Sequence, residues 1–377
     1  MSIKCWERQS CLTERDLAAQ AVALGATDVR GWSRAETRLI RDLPLVPAGT
    51  VAELRERIRA GEDPLGDLFS TIRSPQIRRK KGATFTPLNI VDAILDRAAE
   101  YGLPQRVIDP GAGSARFLLA AAHRFQQASL TGIEVDPLPA LIARGNIAAA
   151  GLTNRAEVLL EDYCSARLQK IDSPTLFIGN PLYVRHHLLK PQWKRWLVTE
   201  ASRHGLSASR LAGLHAYFYL ATLGKAAEGD FGSFITAAEW LDVNYGRLIR
   251  ELFVGPLGGR RILVIEPTAL PFPDAATTAA ITQFQVGSRP KTVSMRCVRN
   301  LDELTQTGGD HEVRREHLQS ERRWSHLIGC RESRIQSQTI LRSGLWTLDP
   351  RPLTLRSGRG RPDTWNWGSC AVFTEVR

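Results

Sequence analysis

The tetrapeptide Asn180-Pro181-Leu182-Tyr183 combines groups that can activate an exocyclic amine of a nucleobase. The lone pair of such a nitrogen is delocalised into the ring, so the amine attacks a methyl donor poorly. The Asn180 side-chain oxygen and the Pro181 carbonyl can accept hydrogen bonds from its two N–H groups and localise the lone pair. Proline restricts the backbone and so aims this carbonyl before reaction. Tyr183 offers a face on which a base can stack, and the tetrapeptide therefore predicts methylation of an amine.

Three earlier predicted strands also end in polar residues. Asp109 ends a short apolar run, and Gly111 and Gly113 after it let the backbone approach a ligand closely. Glu134 is placed to accept hydrogen bonds from both hydroxyls of a ribose, and Asp162 from an adenine amino group. Each feature alone also fits a tight turn or a solvated loop, but their joint placement at successive strand ends favours a ligand site. Because no Gly-Lys-Ser/Thr follows the glycines, a nucleoside without polyphosphate, such as S-adenosylmethionine, fits best.

The order of these motifs resembles that of class I S-adenosylmethionine-dependent DNA methyltransferases acting on adenine N6. The likeness covers about residues 65–290 and is greatest to restriction–modification methylases of the gamma motif order. "ATFTPLNIVDAIL" resembles their N-terminal cofactor motif, which implies that Thr84, Thr86 and Pro87 lie near the methionine carboxylate. "VIDPGAGSARFL" resembles their glycine-rich motif, which implies that Asp109 meets the methionine ammonium. "GDFGSFITAAEWL" resembles a later part of their core.

The resemblance implies S-adenosylmethionine as the cofactor and double-stranded DNA as the partner. The chain departs from the family pattern at two places. Leu182 stands where a second proline is usual, which should cost rigidity but remove no catalytic group. Residues 299–377 are too few for the usual target recognition domain, so we expect only the start of a truncated one. A recognition domain or nuclease supplied by another chain is a possible partner.

Basic residues follow the tetrapeptide and predict a DNA-contacting loop. They are Arg185, Lys190, Lys194 and Arg195. Trp193 and Trp196 are interleaved with them, which also fits an amphipathic helix that packs both tryptophans on the protein body.

The composition is that of an ordinary globular protein, with 377 residues, 43% hydrophobic and 24% charged. Fifty Lys and Arg against 39 Asp and Glu give a net charge of +11, which favours a polyanionic partner such as nucleic acid. None of the six cysteines forms a Cys-x-x-Cys pair, so no metal site is predicted. No apolar run is long enough to cross a bilayer, and we expect a cytoplasmic protein that does not bind membranes.

Strands and helices alternate from residue 81 to 298 and predict an α/β catalytic domain. We expect a doubly wound, mostly parallel sheet, with the seven strands of the Rossmann-like methyltransferase fold that the resemblance implies. Residues 1–80 read as a helical N-terminal region, and 299–377 as a C-terminal extension with one helix over "RREHLQSERRWSHLI".

Two rival functions stay open from the sequence. One is methylation of another amide or amine, in a release-factor glutamine or in ribosomal RNA, because an amide nitrogen poses the same lone-pair problem. The other is a weakened module that binds cofactor and DNA without turnover.

Overall fold

The structure is a computed structural model, and it describes residues 12–74, 86–269, 278–306 and 308–329. Thr84, one of the predicted cofactor residues, lies outside the described residues. So does the part of the predicted C-terminal extension from residue 330 onwards.

The α-helices of the described residues form an N-terminal group and a group that flanks a sheet. The N-terminal group is α1 Glu14–Ala23, α2 Arg34–Leu39, α3 Ala48–Arg59 and α4 Pro64–Ile72. The others are α5 Leu88–Ala98, α6 Arg116–Arg124, α7 Pro137–Ala149, α8 Pro191–Arg203, α9 Leu214–Lys225, α10 Arg247–Val254 and α11 Arg315–Ser320. No helix among the described residues has the length and apolar character needed to span a membrane.

The strands join in a single sheet with the order β3-β2-β1-β4-β5-β7-β6-β8-β9. They are β1 Arg106–Asp109, β2 Ser129–Glu134, β3 Ala156–Leu160, β4 Thr175–Gly179, β5 Phe231–Ala237, β6 Gly259–Ile265, β7 Ala279–Gln285, β8 Thr292–Val298 and β9 His311–Arg314. The strands β1 to β5 are mutually parallel, whereas β7 is antiparallel to both of its neighbours. The predicted α/β class with a mostly parallel sheet is confirmed.

The predicted number of seven strands is wrong, because the described residues contain nine. In β8, Val293 and Met295 alternate with more polar residues and are buried, and β8 pairs parallel to β6. The chain then returns as β9 antiparallel to β8. The single helix predicted over 314–328 is also wrong, since Arg314 belongs to β9 and α11 stops at Ser320. Trp324 is buried and donates its indole N–H to the Leu318 carbonyl (3.1 Å), which turns the chain back onto the body.

Alternate residues of the central strands pack on opposite faces of the sheet. Val107 and Leu176 join an apolar cluster with α5, α6 and α7. Ile108 and Phe177 join a second cluster with α8, α9 and α10. The chain runs from β1 to one side through β2 and β3, and then to the other side through β4 and β5. This reversal opens a crevice at the carboxyl ends of β1 and β4, where doubly wound sheets bind ligands.

The N-terminal helices α1 to α4 pack against α7, one of the helices that flank the sheet. Leu17 and Ile58 share an apolar cluster with Leu141 of α7. Arg144 of α7 is fully buried and bonds Glu36 (Nε–Oε1 2.5 Å) as well as main-chain carbonyls of the N-terminal region. A buried charge needs such a complete set of partners, so this contact fixes the N-terminal helices to the sheet domain.

Candidate active site

A cleft that is open to solvent lies at the carboxyl ends of the first four strands. Its wall contains acidic residues from the ends of β2 and β3 and apolar residues from α9. The lining residues include Gly111, Glu134, Asp162, Leu182, Leu214 and Phe218. The structure therefore brings together residues that are up to 108 positions apart in the sequence, namely Pro110 and Phe218.

Asp109 ends β1 and is fully buried beside this cleft. Its Oδ1 accepts a hydrogen bond from the Gly111 N–H (3.2 Å), whereas its Oδ2 is buried and has no hydrogen-bond partner among the residues that the structure describes. Burial raises the pKa of Asp109 to about 8, and the neighbouring charge of Glu134 acts in the same direction. An orphaned carboxylate oxygen of this kind is suited to receive a cationic ligand group.

Glu134 ends β2 and is held by main-chain N–H groups on both of its oxygens. Oε2 accepts from Gly113 (3.0 Å), and Oε1 accepts from Val135 (2.8 Å) and Asp136 (2.9 Å). Burial raises the pKa of Glu134, although these hydrogen bonds oppose the shift. Each carboxylate oxygen has two lone-pair positions, and these three bonds leave one position, on Oε2, for a ligand hydroxyl.

Asp162 lies just beyond β3 and caps the turn that follows it. Its Oδ1 accepts from the Cys164 N–H (2.8 Å), and its carbonyl accepts from the Ala166 N–H (2.8 Å). Burial raises the pKa of Asp162 to about 6. Phe218 lies in the same wall of the cleft, so an acceptor and an aromatic ring face one space there.

Asn180 directly follows β4, whose last residue, Gly179, lies next to the Asp109 carboxylate. Gly179 has φ 153°, and a Cβ at this position would lie 2.5 Å from Asp109 Oδ1, so the close approach of β4 to β1 requires glycine. The Asn180 Nδ2 donates to Thr86 Oγ1 (3.2 Å). Pro87 is the N-cap of α5. The predicted cofactor motif at 86–87 and the predicted catalytic residue therefore meet.

Tyr183 is half-buried and held by side chains that the sequence did not single out. Its hydroxyl donates to Glu239 Oε1 (2.6 Å), and Tyr245 donates to the same oxygen (3.3 Å). Its ring stacks on His215, with a centroid distance of 5.5 Å and an interplanar angle of 21°. Burial raises the pKa of Tyr183, and the Glu239 charge adds to the shift. Glu239 stands in "GDFGSFITAAEWL", so that motif was a usable signal, whereas His215 had none.

The basic segment after the tetrapeptide is a helix over Pro191–Arg203, so the prediction of a loop is wrong for this part. Pro191 opens α8, and Trp193 is 3% exposed. Trp196 stacks on Tyr217 at 5.9 Å and 13°. The tryptophans thus pack on the protein body, as the alternative interpretation predicted, while Arg195 stays exposed.

The other predicted DNA-binding residues lie at the protein surface or near it. Arg185 and Lys190 precede α8 and are exposed, and Lys194 is half-buried. DNA binding by these residues stays a prediction.

The sequence of the chain is similar to those of known methyltransferases. Residues 61–227 match the family model described as N-6 DNA Methylase. The chain is also 42% identical over 332 residues to the Type II methyltransferase M.XamI of Xanthomonas campestris pv. amaranthicola. The predicted resemblance to N6-adenine DNA methyltransferases is confirmed. The alignment covers 85% of this chain but 60% of M.XamI, so the chain spans less than two thirds of that relative.

Solved structures share the fold at low sequence identity. The structure of the type IIG restriction endonuclease BpuSI matches 83% of this chain and 44% of that chain, with a TM-score of 0.58 and 15% identity. A Listeria monocytogenes protein assigned to the class I S-adenosylmethionine-dependent methyltransferases matches 78% of this chain and 92% of that chain, with a TM-score of 0.57 and 13% identity. These matches show the class I methyltransferase fold.

Proposed function

We propose that the protein transfers a methyl group from S-adenosylmethionine to the N6 amine of an adenine in double-stranded DNA. The observation that carries the proposal is the junction of β1 and β4. There Gly179, which packs against the buried Asp109 carboxylate, leads directly into the Asn-Pro-Leu-Tyr segment, and Leu182 of this segment lines the cleft. The similarity to M.XamI supports DNA as the substrate and restriction–modification as the setting.

The residues of the cleft fit the cofactor by their chemistry. The unpartnered Asp109 Oδ2 suits the methionine ammonium, and the fixed Glu134 carboxylate suits a ribose hydroxyl. Asp162 suits the adenine amino group, and Phe218 offers an apolar face for its ring. Gly111, Gly113 and the threonine–proline motif complete the proposed cofactor site. When bound, S-adenosylmethionine supplies an electrophilic methyl group on a sulfonium.

The tetrapeptide would act on the target amine from the other side of the cleft. The Asn180 side-chain oxygen and the Pro181 carbonyl accept from its two N–H groups and favour a pyramidal nitrogen with a localised lone pair. Because Thr86 accepts from the Asn180 amide nitrogen, the Asn180 side chain is oriented before the substrate arrives. Tyr183 provides the stacking platform, which Glu239 and His215 hold in place.

An adenine must leave the DNA stack to enter this cleft. The basic residues after the tetrapeptide would contact the phosphate backbone of the DNA. They are the exposed Arg185, Lys190 and Arg195 and the half-buried Lys194. Phosphate contacts position DNA but do not read its sequence. Sequence recognition would come from the C-terminal extension, from a separate recognition domain or from a nuclease partner.

The test is incubation of the protein with S-adenosylmethionine labelled in the methyl group and one of three acceptors. These are bacterial genomic DNA free of N6-methyladenine, ribosomal RNA and a release factor. We expect label in DNA alone, recovered as N6-methyladenine after digestion to nucleosides. Label in RNA or in the release factor with none in DNA would overturn the proposal. Cofactor binding without transfer to any acceptor would favour the module without turnover.

A further inference from the structure

Asp63 is a buried acid outside the motifs that define the proposed active site. It is 4% exposed and is the N-cap of α4. Its Oδ1 accepts from the Gly66 N–H (2.9 Å) and the Asn146 side chain (2.9 Å). Its Oδ2 accepts from Ser114 Oγ (2.5 Å) and Arg116 Nε (2.6 Å). One carboxylate thus joins the N-terminal helices to the end of the glycine-rich turn.

The residue between these two partners has an unusual backbone. Ala115 lies in the left-handed region, with φ 71° and ψ 24°, and is the N-cap of α6. A residue with a Cβ adopts this conformation at a free-energy cost, so it persists where the surroundings fix it. Asp63 bonds the side chains of Ser114 and Arg116, on both sides of Ala115, and so supplies that constraint.

The turn held in this way contacts the proposed cofactor and target sites. Gly113, two residues before Ala115, donates its N–H to the Glu134 carboxylate. Arg116 donates to the Thr86 carbonyl (3.3 Å), and the Thr86 hydroxyl accepts from Asn180. A shift of this turn would therefore move the ribose-binding acid and the support of the catalytic asparagine together.

The glycine at position 66 leaves space for the Asp63 carboxylate. A Cβ at Gly66 would lie 2.1 Å from Asp63 Oδ2, too close for any side chain without displacing the carboxylate. Alanine at position 66 would therefore disturb the same contact from the opposite direction.

We propose that Asp63 is a positioning residue that holds the left-handed turn at Ala115 and thereby sets the cofactor site in its binding geometry. This inference rests on the proposed function, because it assumes that the cleft binds an adenosyl cofactor. The residue itself does not touch the cofactor.

The experiment measures the dissociation constant of S-adenosylhomocysteine by calorimetry for wild-type protein, Asp63→Asn and Asp63→Asn/Ala115→Gly. Asparagine keeps the shape but lacks a second acceptor oxygen, so we expect an increase of about tenfold, the loss of one charged hydrogen bond. Glycine adopts the left-handed conformation without the Cβ cost, so the double variant should recover to within about threefold of wild type. Gly66→Ala should weaken binding as Asp63→Asn does.

The matched control is Asp67→Asn. Asp67 also bonds Arg116 (2.5 Å), but its side chain is 71% exposed and does not contact Ser114, so binding should change less than about twofold. Should Asp63→Asn fail to fold, as judged by circular dichroism, Ser114→Ala removes one of the two contacts and should weaken binding about threefold. Ala115→Gly should restore the affinity of that variant as well.

The outcomes separate the two proposals. Wild-type protein that binds no S-adenosylhomocysteine would refute the proposed function itself. Binding by wild type, loss in Asp63→Asn and no recovery on adding Ala115→Gly would overturn the positioning role. Unchanged affinity in Asp63→Asn would overturn it as well.

Discussion

The two sides of the cleft are held in different ways. On the proposed cofactor side, Asp109, Glu134 and Asp162 are fixed by main-chain N–H groups of the turns that follow their strands. On the proposed target side, Asn180 and Tyr183 are fixed by side chains from distant parts of the chain. The cofactor side is thus built by local backbone geometry, and the target side by tertiary contacts.

This difference matters for what a substitution does. A carboxylate held by its own turn can be replaced while the turn keeps most of its shape, so the loss should fall on ligand affinity. The position of a side chain that is held by another side chain changes when either of the two is substituted. Substitutions on the target side should therefore reduce the rate of methyl transfer and leave cofactor affinity nearly unchanged.

The largest expected effect belongs to Asn180→Ala. It removes a proposed acceptor for the target amine, and loss of one preorganised hydrogen-bonding group costs about 100- to 1000-fold in turnover. Single-turnover transfer of labelled methyl to DNA measures the rate, and calorimetry with S-adenosylhomocysteine measures the affinity. We expect the rate to collapse and the affinity to stay within about twofold, since the side chain is not a cofactor ligand in this scheme. A collapse of affinity instead would place Asn180 on the cofactor side.

Glu134→Ala should give the converse result. A hydrogen bond from ribose to the open position on Oε2 is lost, and at about 1.5 kcal/mol the dissociation constant should rise about tenfold. Titration with S-adenosylhomocysteine measures this change, and Glu161→Ala serves as control because Glu161 lines the same cleft but is exposed. An unchanged constant would remove the ribose assignment.

Asp109 makes the stability of the ligand-free protein depend on pH. Burial raises its pKa from 3.8 to about 8, so between these values the folded state holds a proton that the unfolded state releases. Stability from this group is present at low pH and is lost as pH rises towards 8. The asparagine of Asp109→Asn does not titrate. As pH rises, the free energy of unfolding of this variant should therefore increase relative to that of wild type, by at most about 1.4 kcal/mol per pH unit. Urea unfolding from pH 5 to 8 measures the difference, and parallel curves would show that Asp109 ionises normally.

The cofactor side was predictable from sequence because its signals are local. Asp109, Glu134 and Asp162 each end an apolar run, and Gly111 and Gly113 follow the first of these runs directly. The parallel order of strands then brings them to one edge, which needs no knowledge of side-chain contacts. Their roles stay a prediction, but their convergence on one cleft edge is what the strand pattern predicted.

The supports of the target side were not predictable in the same way. Glu239 and His215 contact Tyr183 only because β5 and α9 pack next to β4, and no spacing in the sequence encodes that contact. The edge strands β8 and β9 were missed for different reasons. β8 lies within the predicted catalytic domain, and the alternation of Val293 and Met295 with more polar residues was a strand signal that the prediction passed over. β9 has four residues and lies beyond that domain, so its pairing with β8 is what distinguishes it from a loop.

The smallest expected effect tests the tertiary support of Asn180. Thr86→Val removes the hydroxyl that accepts from the Asn180 amide, and one neutral hydrogen bond contributes about 1 kcal/mol, so turnover should fall about fivefold. Thr86→Ser keeps the hydroxyl and should keep turnover within about twofold of wild type. The same single-turnover assay measures both variants, with S-adenosylhomocysteine affinity as the second readout. A loss in Thr86→Ser with none in Thr86→Val would mean that the methyl group rather than the hydroxyl matters. Thr86 also belongs to the threonine–proline motif of the proposed cofactor site, so a loss of affinity without a loss of rate would mean that Thr86 serves the cofactor side alone.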